Sequence, residues 1–324
     1  MKKNIAVAMG GDSSEYEVSL KSANVVASNI DTDLYNVYKI MVRGKEWYCE
    51  KDDHQYPVNK DDFSIDINGN KINFDGVFIA IHGSPGENGL LQGYFDLLEI
   101  PYSSCLTFQS ALTFNKAMCS SLLRHYGVVM AKAKYLKRSQ QIDFSEIVDL
   151  VGLPCFVKPN EAGSSFGITK VKTADELLPA IEYAFEFDKT VIVEEFIEGR
   201  EITCGVHNIE GQIKSLPLTE IISENEFFDY EAKYHGASNE ITPAKVNDEI
   251  ERKVSGISKL IFETLDLRGV CRVDFIVKDN QPYFIEVNTV PGLSEASLVP
   301  QQVTAAGYSL KSFFNSWVEF SLQQ

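Results

Sequence analysis

Arg272, Asp274, Glu286 and Asn288 set four polar groups into two otherwise apolar runs, Arg272-Val273-Asp274-Phe275-Ile276-Val277 and Tyr283-Phe284-Ile285-Glu286-Val287-Asn288. Period-two alternation puts Arg272 with Asp274, and Glu286 with Asn288, on shared faces. The intervening Lys278-Asp279-Asn280-Gln281-Pro282 carries turn chemistry, so the runs form a β-hairpin whose loop length Gln281 and Pro282 leave open. With a three-residue loop, Asp274 stands opposite Glu286 and Arg272 opposite Asn288. Like charges directly across a ladder destabilise it, so a cation belongs between the carboxylates. Oxygen donors from Asp, Glu and Asn suit Mg²⁺, which keeps several waters and shares its remaining positions with nucleotide phosphates. The alternative is a structural ion pair of Arg272 with the carboxylates at a sheet end.

Two other constellations could serve a nucleotide. Pro154-Cys155-Phe156-Val157-Lys158-Pro159 reads as a strand ending in a lysine, followed by the small, hydroxyl-bearing loop Gly163-Ser164-Ser165-Phe166-Gly167. Backbone N–H groups of such a loop cradle phosphates and Lys158 adds a point charge, although a plain hairpin turn has the same composition. Neither a Walker motif nor G-x-G-x-x-G occurs. Downstream, a buried strand from Val191 breaks into Glu194-Glu195-Phe196-Ile197, with Glu201 shortly after. A purine could stack on Phe196 and Ile197 while its amine donates to Glu194 and its ribose to Glu201; a solvated acidic turn is the competing interpretation.

These residues need a scaffold. A strand over 5–9 runs through Gly10-Gly11-Asp12-Ser13-Ser14 into an amphipathic helix over 15–30, the pattern of an open α/β sheet. Further strands are expected at 35–41 and 76–81, the latter followed by His82-Gly83-Ser84-Pro85-Gly86-Glu87-Asn88-Gly89, a loop at the strand end where ligands of such sheets bind. A helix over 107–126 should carry Lys116, with a domain boundary just before that lysine. Short strands at 133–136, 155–158, 168–171 and 191–194 accompany a helix over 174–187. Strands at 201–209 and 212–218, a polar loop over 223–240 and a helix over 248–265 lead to the hairpin, and a helical region closes the chain from Ser297.

With 324 residues, 44% of them hydrophobic, the chain has core enough for two or three domains. A net charge of −16 without any Lys/Arg-rich block argues against nucleic acid, so phosphates must be held by local cations. Six cysteines without Cys-x-x-Cys or Cys/His ligand spacing fit a reduced cytosol. The apolar run after Met1-Lys2-Lys3-Asn4 is too short for a secretory core, and no segment approaches a membrane span.

Taken in order, the chain resembles an ATP-grasp enzyme and, within that superfamily, a D-alanine–D-alanine ligase along essentially its whole length. The matching residues are Gly10 to Ser19, His82-Gly83 with Gly89-Leu90-Leu91-Gln92-Gly93, Lys116, and Val157-Lys158-Pro159 with Gly163-Ser164-Ser165. They continue through Glu194, Glu201, Asp229-Tyr230-Glu231-Ala232-Lys233-Tyr234, Arg272-Val273-Asp274, Glu286 to Gly292, and Ser297-Leu298-Val299-Pro300. The resemblance implies a three-domain α/β ATP-grasp fold with α+β elements, divided at 1–114, 115–200 and 201–324. It implies ATP-dependent joining of two D-alanine molecules through an acyl phosphate, for peptidoglycan precursor synthesis in the cytoplasm, by a homodimer.

By the same similarity Lys116, Lys158 and Lys233 contact ATP phosphates, with Ser164, Ser165, Glu194, Glu195, Phe196, Ile197 and Glu201 completing the nucleotide site. Asp274, Glu286 and Asn288 hold two Mg²⁺ ions, for which Mn²⁺ can substitute. Glu15 binds the ammonium of the first D-alanine, beside His82, and Ser297 the carboxylate of the second. Arg272 and the N–H of Gly292 stabilise the tetrahedral oxyanion, and Ser164 and Tyr234 join Glu15 in tying the domains together over the reactants. Tyr234 favours an amine as second substrate over the hydroxy acid of D-alanine–D-lactate ligases, while His235 keeps that alternative, like D-serine, open. Asn88 and Ala162 depart from residues common in relatives and should tune the pockets. The 223–240 stretch is the expected lid that excludes water.

Overall fold

The computed structural model describes residues 2–161, 163, 166–223 and 238–323. Its first sheet orders seven strands as Asn70–Ile72, Ser64–Ile67, His54–Asn59, Glu46–Lys51, Tyr35–Arg43, Lys3–Gly10 and Gly76–Ile79. Lys3–Gly10 lies parallel to both of its neighbours, as the strand, glycine turn and helix Tyr16–Asn29 require of a crossover connection. The strands from Glu46 to Ile72 extend this sheet as an antiparallel meander that hydrophobic periodicity does not single out. One of its turns has a clear local cause: Asn68 and Gly69, at φ 55° and 83°, make the two-residue turn between Ile67 and Asn70.

The core under this sheet is completed from the far end of the chain. Ile5, Val7 and Phe78 pack against Phe314 and Trp317 of helix Leu310–Ser321, with the Phe78 and Trp317 rings 4.7 Å apart. The Trp317 indole donates to the carbonyl of Ser103 at 2.8 Å, satisfying its one polar atom.

A second sheet orders Thr169–Val171, Cys155–Pro159, Thr190–Glu195 and Ala133–Lys137, all antiparallel. Ile147 and Val151 of helix Phe144–Val151 and Leu177 and Ile181 of helix Leu177–Ala184 join its core with Val157, Val191 and Val193. A third sheet runs Ser238–Ile241, Thr219–Ser223, Arg200–His207, Val270–Lys278 and Gln281–Asn288. Ile202, Cys204, Val273 and Phe275 bury one face of it against helix Asp248–Thr264. Alternation therefore turns Glu201, Thr203, Arg272 and Asp274 to the opposite face.

Two expectations are corrected, and a third lies mostly outside the described residues. The single helix over 107–126 is two, Thr107–Phe114 and Lys116–His125, because Asn115 adopts φ −83°, ψ 92° and its side chain accepts from Met118 N at 3.0 Å as an N-cap. The strand over 212–218 shrinks to Lys214–Ser215. The polar stretch over 223–240 is bounded by the paired strands Thr219–Ser223 and Ser238–Ile241, and 224–237 lie outside the described residues. Among the described residues no helix is long and apolar enough to cross a membrane.

Candidate active site

The hairpin pairs Asp274 with Glu286 and Arg272 with Asn288, the register expected of a three-residue loop, by a different route. Asp279 and Asn280, at φ 50° and 58°, form a two-residue turn between Lys278 and Gln281. A register shift between Asp274 and Phe275 then restores the pairing, and such bulges re-aim side chains beside functional sites.

Each carboxylate has its own protein cation. Arg272 forks onto Asp274, Nε to Oδ1 and Nη2 to Oδ2, both at 2.8 Å. Asp274, buried, also accepts from Thr203 Oγ1 at 2.6 Å and Asn288 Nδ2 at 3.0 Å. Glu286 Oε2 lies 3.2 Å from Lys116 Nζ, at the start of the helix that Asn115 caps. Burial works against the charge of Lys116, but Glu286, with Glu87 and Glu15 farther off, outweighs it and raises the lysine pKa. Two carboxylates and an amide offer a cation too few donors to enclose it. Among the described residues no three His, Cys, Asp or Glu side chains gather into a metal cage, so an ion here must complete its shell from phosphate and water.

A cavity of about 540 Å³ opens beside this hairpin, and Glu15, His82, Lys116, Arg272, Glu286, Asn288, Gly292 and Ser297 all line it. Glu15 holds the N-cap position of helix Tyr16–Asn29 without capping it. Two glycines make room for its carboxylate: a Cβ at Gly163 would come within 2.7 Å of Glu15 Oε2, and one at Gly83 within 3.4 Å. Ser297 likewise precedes helix Leu298–Ala305 without capping it, its hydroxyl 2.7 Å from that of Ser294. A Cβ at Gly292 would stand 2.8 Å from Ser297 Oγ, so glycine lets these two approach.

His82 is buried, with Nδ1 2.8 Å from the carbonyl of Val290 and Nε2 2.9 Å from Ser22 Oγ. A carbonyl only accepts, so Nδ1 carries the proton; Ser22 donates to Nε2 and itself accepts from Leu293 N at 3.1 Å. Burial lowers the His82 pKa despite the nearby Glu15, keeping the ring neutral. Through these contacts His82 and Ser22 tie the 290–293 stretch to helix Tyr16–Asn29.

Lys158 and Glu194 form a second centre, joined at 2.6 Å between adjacent strands. With Lys116 they line a smaller hollow walled by Met130, Tyr135, Ile192 and Phe284. Phe196 and Ile197, expected under a purine, do not line that hollow. The Phe196 ring instead meets Phe156 edge-on at 5.7 Å and has the Lys170 ammonium 4.1 Å from its centre. Glu195 accepts from Lys132 N at 3.3 Å, and Glu201 sits in its strand opposite Ile276 and Ile221. Ser164, Ser165, Lys233 and Tyr234 lie outside the described residues, as do Ala162 and His235.

Three functional candidates escape a one-dimensional reading. Thr203 reaches Asp274 only because their strands are neighbours, and Glu240 joins the cavity from the edge strand. Glu87 had a local signal, as the one acid within a loop rich in glycine and proline. Its carboxylate accepts from Gly83 N at 2.7 Å and Val290 N at 3.1 Å, a second link between the two loops. Burial, then the charge of Glu15, push its pKa from 4.5 to about 8, against the pull of those N–H donors. A carboxyl raised on folding stabilises fully below its unfolded pKa, and that contribution is lost as pH rises through the folded value. In metal-free protein, the wild type should therefore lose stability more steeply than Glu87→Gln between about pH 5 and 9, read from urea midpoints. Parallel pH profiles would deny Glu87 its raised pKa.

Three sheets around paired lysine–glutamate and arginine–aspartate centres, opening on a cavity whose lining includes Glu15, Arg272, Glu286 and Ser297, define an ATP-grasp ligase. The comparisons narrow the class. The chain belongs to the D-alanine–D-alanine ligase family: the D-ala D-ala ligase N-terminus matches residues 4–105 and the C-terminus residues 122–319. It is 52% identical, over 99% of both chains, to a D-alanine–D-alanine ligase of Flavobacterium johnsoniae. Among solved structures it is similar to the VanG D-Ala:D-Ser ligase of Enterococcus faecalis, 35% identical with TM-score 0.89 over 99% of this chain and 100% of that one. The D-alanine–D-alanine ligase of Bacillus anthracis complexed with ATP is 30% identical, with TM-score 0.80 over 99% and 98%. The family's enzymes are ATP-dependent ligases, as the matching segments led one to expect.

Proposed function

We infer that this site joins two D-alanine molecules at the expense of ATP. The γ-phosphoryl group passes to the carboxylate of the first D-alanine, giving an acyl phosphate and ADP. The amine of the second attacks that carbonyl carbon, a tetrahedral oxyanion forms, and phosphate leaves as the C–O bond breaks and the peptide bond is complete. The observation that carries this inference is the single cavity joining Glu15 to Ser297 past Arg272 and Glu286. A zwitterionic substrate needs a partner at each end, and a reaction between two of them needs both pairs of partners within one space.

Glu15 receives the first ammonium and Ser297 the second carboxylate. Arg272 and the Gly292 N–H face the carbonyl where negative charge develops, with His82 and Glu87 holding the loop that carries Gly292. Lys116, Lys158 and Lys233 steady the phosphates, while Ser164 and Tyr234 act with Glu15 across the domains. Glu194, Glu195, Phe196, Ile197 and Glu201 belong to the nucleoside end, with Ser165 at the phosphates. Asp274, Glu286 and Asn288 would hold a pair of Mg²⁺ ions, or Mn²⁺, which would offset the negative charge that develops on the transferred phosphoryl group. A cation beside Asp274 would share its carboxylate with Arg272 and weaken the hold on the guanidinium. We take the three domains to be 1–114, 115–200 and 201–324, the assembly to be a homodimer in the cytoplasm, and nucleic acid and membrane to be no partners.

Incubation with ATP, Mg²⁺ and D-alanine should yield D-alanyl-D-alanine and phosphate by mass spectrometry. Parallel incubations add D-serine or D-lactate. Absence of product with D-alanine alone would refute the assignment.

A further inference from the structure

Glu240 lines the same cavity as Arg272 and Ser297. It lies on edge strand Ser238–Ile241, opposite Ile221, and its Oε2 accepts from Gln301 Nε2 at 2.6 Å. Gln301 belongs to helix Leu298–Ala305, which Ser297 directly precedes, so the carboxylate is tied to the element that carries that serine. This coupling bears on the second substrate, and so rests on the D-alanine-joining reading. With its carboxylate at Ser297, that substrate brings an ammonium into a cavity whose other acids are engaged or remote. Glu15 serves the first D-alanine, Glu286 faces Lys116, Glu87 takes two backbone N–H groups, and Glu295 is exposed to solvent. Arg272, also lining the space, would repel an ammonium left without an anion of its own.

We propose that Glu240 is the anionic partner of the second substrate's ammonium, and thereby selects an amino acid over a hydroxy acid at that position. A hydroxyl carries no charge to reward the carboxylate for its desolvation, and burial already disfavours the charged form of Glu240. The ammonium holds it ionised and gains a charge-assisted hydrogen bond in return.

The test separates charge from architecture. Glu240→Gln keeps an oxygen for Gln301 to donate to but removes the charge, whereas Gln301→Met removes the hydrogen bond and leaves the charge. Glu240→Gln should raise KM for the second D-alanine about tenfold, with KM for ATP and for the first D-alanine unchanged. It should also raise the D-alanyl-D-lactate to D-alanyl-D-alanine ratio when both acceptors compete. Gln301→Met should leave the second KM within about twofold of wild type. An unshifted KM and product ratio in Glu240→Gln, or a Gln301→Met variant that reproduces its shift, overturns the proposal. An inactive wild type would overturn both readings, while an active wild type with unshifted variants overturns this one alone.

Discussion

Glu286→Gln is expected to abolish ligation while leaving the fold intact, with turnover falling at least about a thousandfold. Glu286 serves two partners that are not present together in equal measure. Without nucleotide it is the counter-ion of Lys116 at 3.2 Å. With Mg²⁺–ATP it is proposed to share the ions with Asp274 and Asn288, leaving Lys116 to the phosphates. The variant should then show opposite effects under two conditions. With Mg²⁺ its ATP affinity should drop, because a charged ligand is gone. With metal chelated its ATP affinity should equal or exceed wild type, because Lys116 is no longer held by a carboxylate. Isothermal titration with and without Mg²⁺ reads both, and unchanged turnover would remove Glu286 from the metal site. The half-buried position of Glu286 and the similar shape of glutamine predict an unaltered melting profile apart from the lost ion pair.

Arg272→Met should lower kcat about a hundredfold to a thousandfold, the effect of losing one oxyanion donor worth about 3 kcal/mol, with little change in KM for ATP. It should also destabilise the ligand-free protein. Asp274 is buried and accepts from both Nε and Nη2 of the guanidinium, so methionine leaves its charge to the contacts with Thr203 and Asn288. Breaking a buried pair by removing one partner costs about 3–5 kcal/mol. If the ions take over Asp274, Mg²⁺–ATP should raise the melting temperature of the variant more than that of wild type. An equal shift in both proteins would place the ions elsewhere.

The hairpin was legible because its evidence is local: alternation, a turn and four polar residues out of place. The bulge that sets its register was not, since the same pairing follows from a longer loop without a bulge. The break at Asn115 offered an N-cap residue before Lys116, but an unbroken apolar period across it hid the signal. Helix Phe144–Val151 is similar, capped by Asp143, which accepts from Ser145 N and Glu146 N, yet too short to register as a period. Gly163 and Glu15, far apart along the chain, come together only in the fold. Thr203 and Glu240 depend on strand order, which no window along the chain contains.

Packing of the last helix beneath the first sheet also governs how the molecule is made. Synthesis runs from N- to C-terminus, so Ile5, Val7 and Phe78 are made long before Phe314 and Trp317 exist to pack on them. The first sheet can pair its strands early and take helix Tyr16–Asn29 onto this side through Ala23 and Val26, but its cover is complete only once residues 310–321 have emerged. Docking of helix Leu310–Ser321, more than pairing of the first strands, therefore completes the support beneath the strand that leads into Glu15.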